Sequence, residues 1–225
     1  MRKTPFTPDE WYHCLNRGVD KRIIFENRRD YERFLMLLYV CNSSTPVHIS
    51  NIRQDKQGPT LLETLEQKRG EPLVEVSAYS LMPNHYHLLL RERQEGGITT
   101  FMRKVATGYT MYFNIKRERT GALFSGKFKS RHVEKTTYLR RLLNYIHANP
   151  AELYEKGWKK GRIANEKELK RLLQTYEYSS LQEYLGRRRP LSKIISAENL
   201  LSIFNKRPHL EDLIEEARIF ARSEE

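Results

Sequence analysis

The apolar positions along the chain change period several times, and each change marks an element. Residues 11–16 (Trp-Tyr-His-Cys-Leu-Asn) alternate like a strand that the Arg17-Gly18 turn signal stops. Beyond it, Tyr31, Phe34, Leu35, Leu38 and Tyr39 recur at helical spacing behind Asp30, which reads as the N-cap. From 42 to 72 the pattern dissolves among Pro46, Gly58, Pro59, Gly70 and Pro72, which predicts a long connection with one short helix over 60–68. Residues 73–81 alternate again, and a further strand over 85–93 follows the Met82-Pro83-Asn84 turn, so the two form an antiparallel pair in mid-sheet. After Gly96-Gly97 a helix runs over 98–117 with Phe101, Val105, Tyr109, Tyr112 and Phe113 on its buried side. Residues 124–134 form a loop leading into a fourth strand. Thr136 or Thr137 caps the next helix, which Asn149-Pro150 ends because the residue before proline is disfavoured from helical geometry. Irregular helices over 165–176, 182–185, 197–204 and 211–221 complete the chain, with a basic link at 186–190.

Strand, helix, strand, strand, helix, strand is the order of a ferredoxin-like α+β fold. It predicts a four-stranded antiparallel sheet with helices on one face and the other face free for a ligand. The composition, 39% hydrophobic over 225 residues, is enough for one domain with an appendage, here a main domain over 1–150 and a helical C-terminal extension over 151–225.

Chemistry concentrates at Asn84-His85-Tyr86-His87. On a strand the two imidazoles share one face, where they can hold a divalent ion, but such a site needs a third ligand and an open position. Tyr145 and Asn149, four residues apart, share a face of the last helical turn before Pro150. If that face packs over the histidine strand, Asn149 supplies the oxygen ligand and Tyr145 stands beside a metal-bound phosphate as nucleophile. For any one of thirteen tyrosines a packing role is the default, so the joint pattern carries the reading. His13 alternates on its own strand so as to face the same site, although a lone histidine is more often structural.

The net charge of +12 points to a polyanionic partner. Between residues 101 and 145, eleven Lys and Arg stand against two acids, Glu118 and Glu134, and are interleaved with eight Phe and Tyr, the composition of a single-stranded nucleic-acid groove. Arg103, Lys104, Lys116, Arg117, Lys127, Lys129, Arg131, Arg140 and Arg141 are the expected nucleic-acid contacts. The bland alternative is a solvated face over an aromatic core. Arg187 to Arg189 read equally as a phosphate contact or a solvated linker. No apolar run approaches the roughly 20 residues needed to span a bilayer, and Met1 to Pro5 lack a signal sequence, so no membrane partner and a cytoplasmic location are expected. Cys14 and Cys41 form no metal-binding or disulfide pattern and are expected to be reduced packing residues.

Six runs in order resemble the REP-associated tyrosine transposases, relatives of the IS200-like transposases within the HUH single-strand nuclease superfamily. They are YHCLNRG, the Asp30 to Phe34 helix start, SLMPNHYHLLL, GALFSGKFKS, YLRRLLNYIHANPAE and YEYSSLQEYLG. Each is weak alone; the ordered set is specific. The resemblance implies that His85 and His87 bind Mg²⁺ or Mn²⁺, with Asn149 as the polar third ligand. It also implies that Tyr145 attacks a single-stranded DNA phosphodiester near a hairpin, giving a 5′-phosphotyrosine and a free 3′-OH before strand transfer or rejoining. The connection over 45–72 is longer than the family's usual one.

The residue chemistry agrees with that role. A tyrosine hydroxyl ionises near pH ~10 in water, so it needs a phosphate polarised by a Lewis acid. Neutral imidazoles suit Mn²⁺ and an amide oxygen suits hard ions. The competing reading is a non-catalytic nucleic-acid-binding module on the same sheet; a metal-dependent hydrolase without a covalent step is third, because no carboxylate-rich ligand set is visible. Monomer and homodimer both remain open, as does whether Tyr145 acts on its own or a partner's site.

Overall fold

The computed structural model describes residues 5–52, 58–161, 163–204 and 209–223. Residues 1–4, read above for a signal sequence, and residues 53–57 of the long connection lie outside them. Strands β1 (Trp11–Arg17), β2 (Val74–Met82), β3 (His85–Glu92) and β4 (Lys129–Val133) form one antiparallel sheet in the order β2-β3-β1-β4. This is the ferredoxin-like arrangement the element order predicts.

Helices α1 (Arg28–Val40), α2 (Leu61–Leu65) and α3 (Gly97–Lys116) follow β1 and β3. Strand alternation sends Tyr12, Cys14, Tyr86, Leu88 and Leu90 to one face, where Phe34, Leu35 and Leu38 of α1 and Phe101, Val105 and Tyr109 of α3 bury them. Neither Cys14 nor Cys41 forms a disulfide. Helix α1 starts three residues earlier than expected, because Asn27 and not Asp30 is its N-cap: Asn27 Oδ1 accepts from Asp30 N at 3.3 Å. The Asp30 carboxylate is fully buried and is satisfied instead by Lys116 Nζ at 2.7 Å and by the Glu26 amide at 2.9 Å. In the long connection, Thr60 and Glu63 form a reciprocal capping box that starts α2. Asn42 bonds both backbone groups of Val74, which ties the return of the connection to the sheet.

Strand β2 does not keep simple alternation. Its pairing with β3 slips between Val76 and Ala78, so Val74, Val76, Tyr79 and Leu81 all face the α1/α3 core. Ala78, Ser80 and Met82 are thereby placed on the opposite face; Ser80 is paired with His87 and Met82 with His85.

That opposite face is not open, contrary to the expectation from the element order. Helix α4 (Thr136–Ala148) crosses it, and Leu139, Leu142, Leu143 and Ile146 pack on Ala78, Leu89 and Val133. The N-cap of α4 is Lys135, with no side-chain cap from Thr136 or Thr137. Past the 3-10 turn Asn149–Leu153 come α5 (Glu166–Thr175), α6 (Leu181–Tyr184), α7 (Glu198–Ile203) and α8 (Leu210–Ser223). Tyr184, Leu200, Phe204 and Phe220 extend the layer begun by α4. The apolar stripe of α4 demands this cover, since a free sheet face would leave it in water. Along the β2 edge, Leu81 N donates to Tyr178 O and Ser180 N to Tyr79 O. Arg189 forms a half-buried bidentate pair with Glu183 at 2.6 and 2.7 Å, which holds this segment together.

His147 of α4 is fully buried beside Ser180 Oγ at 2.9 Å, and burial pushes its pKa down to about 3. Between that value and the ordinary 6.5 the unfolded chain takes up a proton that the native state refuses, so stability falls as pH drops through this window. The loss at pH 5 is about 2 kcal/mol. His147→Gln keeps a partner for Ser180 and removes the titration. Its melting temperature is expected to decline less than wild type between pH 7.5 and 5, and identical declines would exclude His147 as a source of acid sensitivity.

Candidate active site

The histidine pair is set by a two-residue turn. Pro83 and Asn84 connect β2 to β3, and Pro83 O accepts from Ile24 N and Phe25 N at 2.8 and 3.0 Å, so the loop after β1 clamps the turn. Gly18 is required there: a Cβ would lie 2.5 Å from Arg22 O. Asn84 Nδ2 donates to Lys21 O at 3.3 Å, which fixes the amide so that Oδ1 faces His85 Nδ1 at 2.6 Å. An amide oxygen only accepts, so His85 carries its proton on Nδ1 and keeps the Nε2 lone pair for a ligand.

Directly opposed strand residues share a face. His87 therefore stands beside Leu15, His85 beside Arg17, and His13 beside Leu89. His13 Nε2 lies 2.8 Å from His87 Nδ1 and the rings stack at 5.1 Å, so the histidine that alternation directed toward the site is in it. A bond donated by His87 Nδ1 leaves its Nε2 as the ligating nitrogen. Burial, with smaller contributions from His13, His85, Lys159 and Arg17, holds the His87 pKa well below its ordinary value. Burial and then Arg17 and Lys159 push His85 down to about 4, and burial with Arg131 does the same for His13. All three are neutral imidazoles near pH 7, the form that binds metals.

Helix α4 brings the tyrosine. The Tyr145 ring stands edge-on to His87 at 5.7 Å and against Phe220 of α8 at 4.8 Å. Its hydroxyl accepts from Lys159 Nζ at 3.1 Å. Asn149, at the C-cap of α4, is buried with Nδ2 donating to Tyr145 O at 2.8 Å, which leaves Oδ1 as the acceptor end of the amide. Among the described residues no group of three or more His, Cys, Asp or Glu is arranged to hold a metal ion. The donors a metal would find here are two imidazole nitrogens and one amide oxygen, without a thiolate; the oxygen suits a hard divalent ion.

The basic residues divide between the two faces. Lys129 and Arg131 pair with Leu15 and His13 and so lie on the histidine face. On the α3 side, Lys104 Nζ donates to Ser43 O at 3.1 Å, Lys116 binds Asp30 and Glu26, and Arg117 binds Glu26. These three thus have bonds within the chain as well. Arg103, Lys127 and Lys129 line a groove of about 1190 Å³ with Phe6 and Phe128. Arg140 lies over the Phe204 ring at 5.3 Å, and Arg141 is exposed. Two site cations were not singled out in the sequence. Arg17 read only as part of a turn signal, and Lys159 sits in an irregular Trp-Lys-Lys stretch whose spacing carries no signal.

A family model described as "Transposase IS200 like" matches residues 35–149, just over half of the chain. The chain belongs to the IS200-like transposase family. The matched stretch contains His85, His87, Tyr145 and Asn149, while His13, Arg17 and Lys159 lie outside it. Among curated proteins nothing matches this IS200-like chain. A solved structure of a REP-associated tyrosine transposase bound to a REP hairpin aligns with it at 13% identity and a TM-score of 0.49, covering 83% of this chain and 85% of that one. Among the described residues no helix of this transposase-family member is long and apolar enough to cross a membrane.

Proposed function

We propose that this protein is a cytoplasmic transposase-type enzyme that cuts and rejoins single-stranded DNA beside a hairpin through a covalent tyrosine intermediate. The observation that carries the reading is the Tyr145 ring set against His87 within one chain, its hydroxyl held by Lys159. His85 Nε2, His87 Nε2 and Asn149 Oδ1 are the atoms that would hold Mg²⁺ or Mn²⁺, and the ion when bound supplies Lewis-acid polarisation of the scissile phosphate. His13 and Asn84 orient the two imidazoles. Tyr145 Oη forms a bond to phosphorus as the bond to the 3′ oxygen breaks, leaving a 5′-phosphotyrosine and a 3′-OH that takes up the proton. Attack by a 3′-OH on that phosphotyrosine returns the tyrosine and joins the strand. Arg17, Lys129 and Arg131 flank the histidine face and suit a phosphate backbone crossing it. Within this reading residues 1–150 form the catalytic domain, and the extension over 151–225 contributes Lys159 and the α8 wall. Within this reading Tyr145 acts on the histidine site of its own chain.

The test incubates the protein and Mn²⁺ with a labelled DNA hairpin bearing single-stranded flanks and separates the products under denaturing conditions. A labelled protein–DNA adduct and a free 3′-OH fragment are expected. Salt-sensitive hairpin binding with no adduct would replace the enzyme by the nucleic-acid-binding module.

A further inference from the structure

We infer that Lys159 is a further catalytic residue, the hydrogen-bond donor that holds the attacking oxygen of Tyr145 and stabilises the charge developing there. The inference rests on the reading of Tyr145 as nucleophile. An ammonium has three donors and no acceptor, so in the 3.1 Å contact Lys159 donates and the phenol oxygen accepts. The hydroxyl hydrogen is left to leave in the reaction. As the phosphorus–Oη bond forms and the phosphorus–O3′ bond breaks, the phenolic proton ends on the departing 3′ oxygen; Lys159 takes no proton. A donor already aimed at the oxygen strengthens as negative charge grows, without reorganisation at the moment of reaction.

The lysine is held for this task. Its neighbour Trp158 is fully buried among Ala148, Ala151, Leu169 and Leu213, which anchors the segment under α4 and α8. Gly157, at φ +76°, turns the chain, and Gly157 O accepts from both Lys160 N and Gly161 N. Arg218 of α8 donates to the carbonyls of Lys159 and Gly161. The ammonium also lies 5.0 Å from the Tyr145 ring centre and within electrostatic reach of His85 and His87. It therefore touches the nucleophile and acts electrostatically on both histidines.

Three variants test this on the full chain with Mn²⁺ and hairpin DNA. Lys159→Met keeps the apolar stem and removes the donor. Single-turnover adduct formation is expected to slow about 100-fold, while hairpin affinity and melting temperature stay near wild type. Lys159→Arg, which restores a donor, is expected to recover most of the rate, and Lys159→Gln, a neutral donor, part of it. The defect of Lys159→Met should persist on a substrate whose bridging 3′ oxygen is replaced by sulfur, since a better leaving group does not repair the nucleophile side. A Lys159→Met rate equal to wild type would overturn the inference. So would a parallel loss of hairpin affinity, no recovery in either donor variant, or full rescue by the sulfur substrate. Absence of an adduct in the wild-type control would instead defeat the reading of Tyr145 itself.

Discussion

Tyr145→Phe is expected to abolish the covalent protein–DNA adduct, lowering its rate of formation by more than about 10⁴-fold, with hairpin binding preserved. The substitution keeps the ring that packs against His87 and Phe220 and removes the oxygen that Lys159 holds. The hydroxyl's net contribution to stability is about 1 kcal/mol, so the melting temperature should move by a few degrees at most and a folded, DNA-binding, chemically inert protein should result. Denaturing electrophoresis of labelled hairpin with wild type and variant reads the outcome directly. An adduct that survives in Tyr145→Phe would assign the nucleophile to a different side chain.

His87→Ala carries the second-largest expected effect. His87 is the central member of the site: His13 bonds its Nδ1, Tyr145 stands against its ring and Ser80 is its cross-strand neighbour. Its removal takes away one of three proposed metal donors. It also leaves the buried His13 Nε2 without its partner, at a cost of about 1–3 kcal/mol. Mn²⁺ affinity, read by the paramagnetic signal of the free ion, is expected to fall by more than about 100-fold, and cleavage is expected to fall with it. Retention of wild-type Mn²⁺ affinity would move the metal elsewhere. The acid limit of metal binding follows from the same burial. With His85 lowered to about 4, its imidazole stays neutral as pH falls below the ordinary 6.5, and proton competition at this ligand begins only as pH approaches 4. Wild-type Mn²⁺ binding at pH 5.5 should therefore remain close to that at pH 7.5, whereas an unperturbed histidine ligand would already be mostly protonated.

Much of this arrangement was legible in local pattern. The alternation around His85 and His87, the i, i+4 spacing of Tyr145 and Asn149, and the strand-helix-strand-strand-helix-strand order need only period and turn chemistry to read. Errors arose where a distant partner decides. Asp30 looks like an N-cap by its position, yet Lys116, far along the chain, claims its carboxylate and Asn27 caps the helix. Lys104, Lys116 and Arg117, expected at DNA, also hold bonds within the chain that their spacing does not announce. The slip in β2 near Ser77 is equally invisible in sequence, because a bulge is a property of the pairing of two strands.

By itself, the sequence determined which residue types could perform the chemistry and on which face of which element they lie, since backbone geometry ties side-chain direction to residue spacing. Only the tertiary structure decided that α4 and α8 cover the second face of the sheet and thereby set Tyr145 over His87. It alone brought Arg17 and Lys159 to the same point. Those placements follow from burying apolar stripes separated by many tens of residues, a condition on how the elements pack together that no local pattern records.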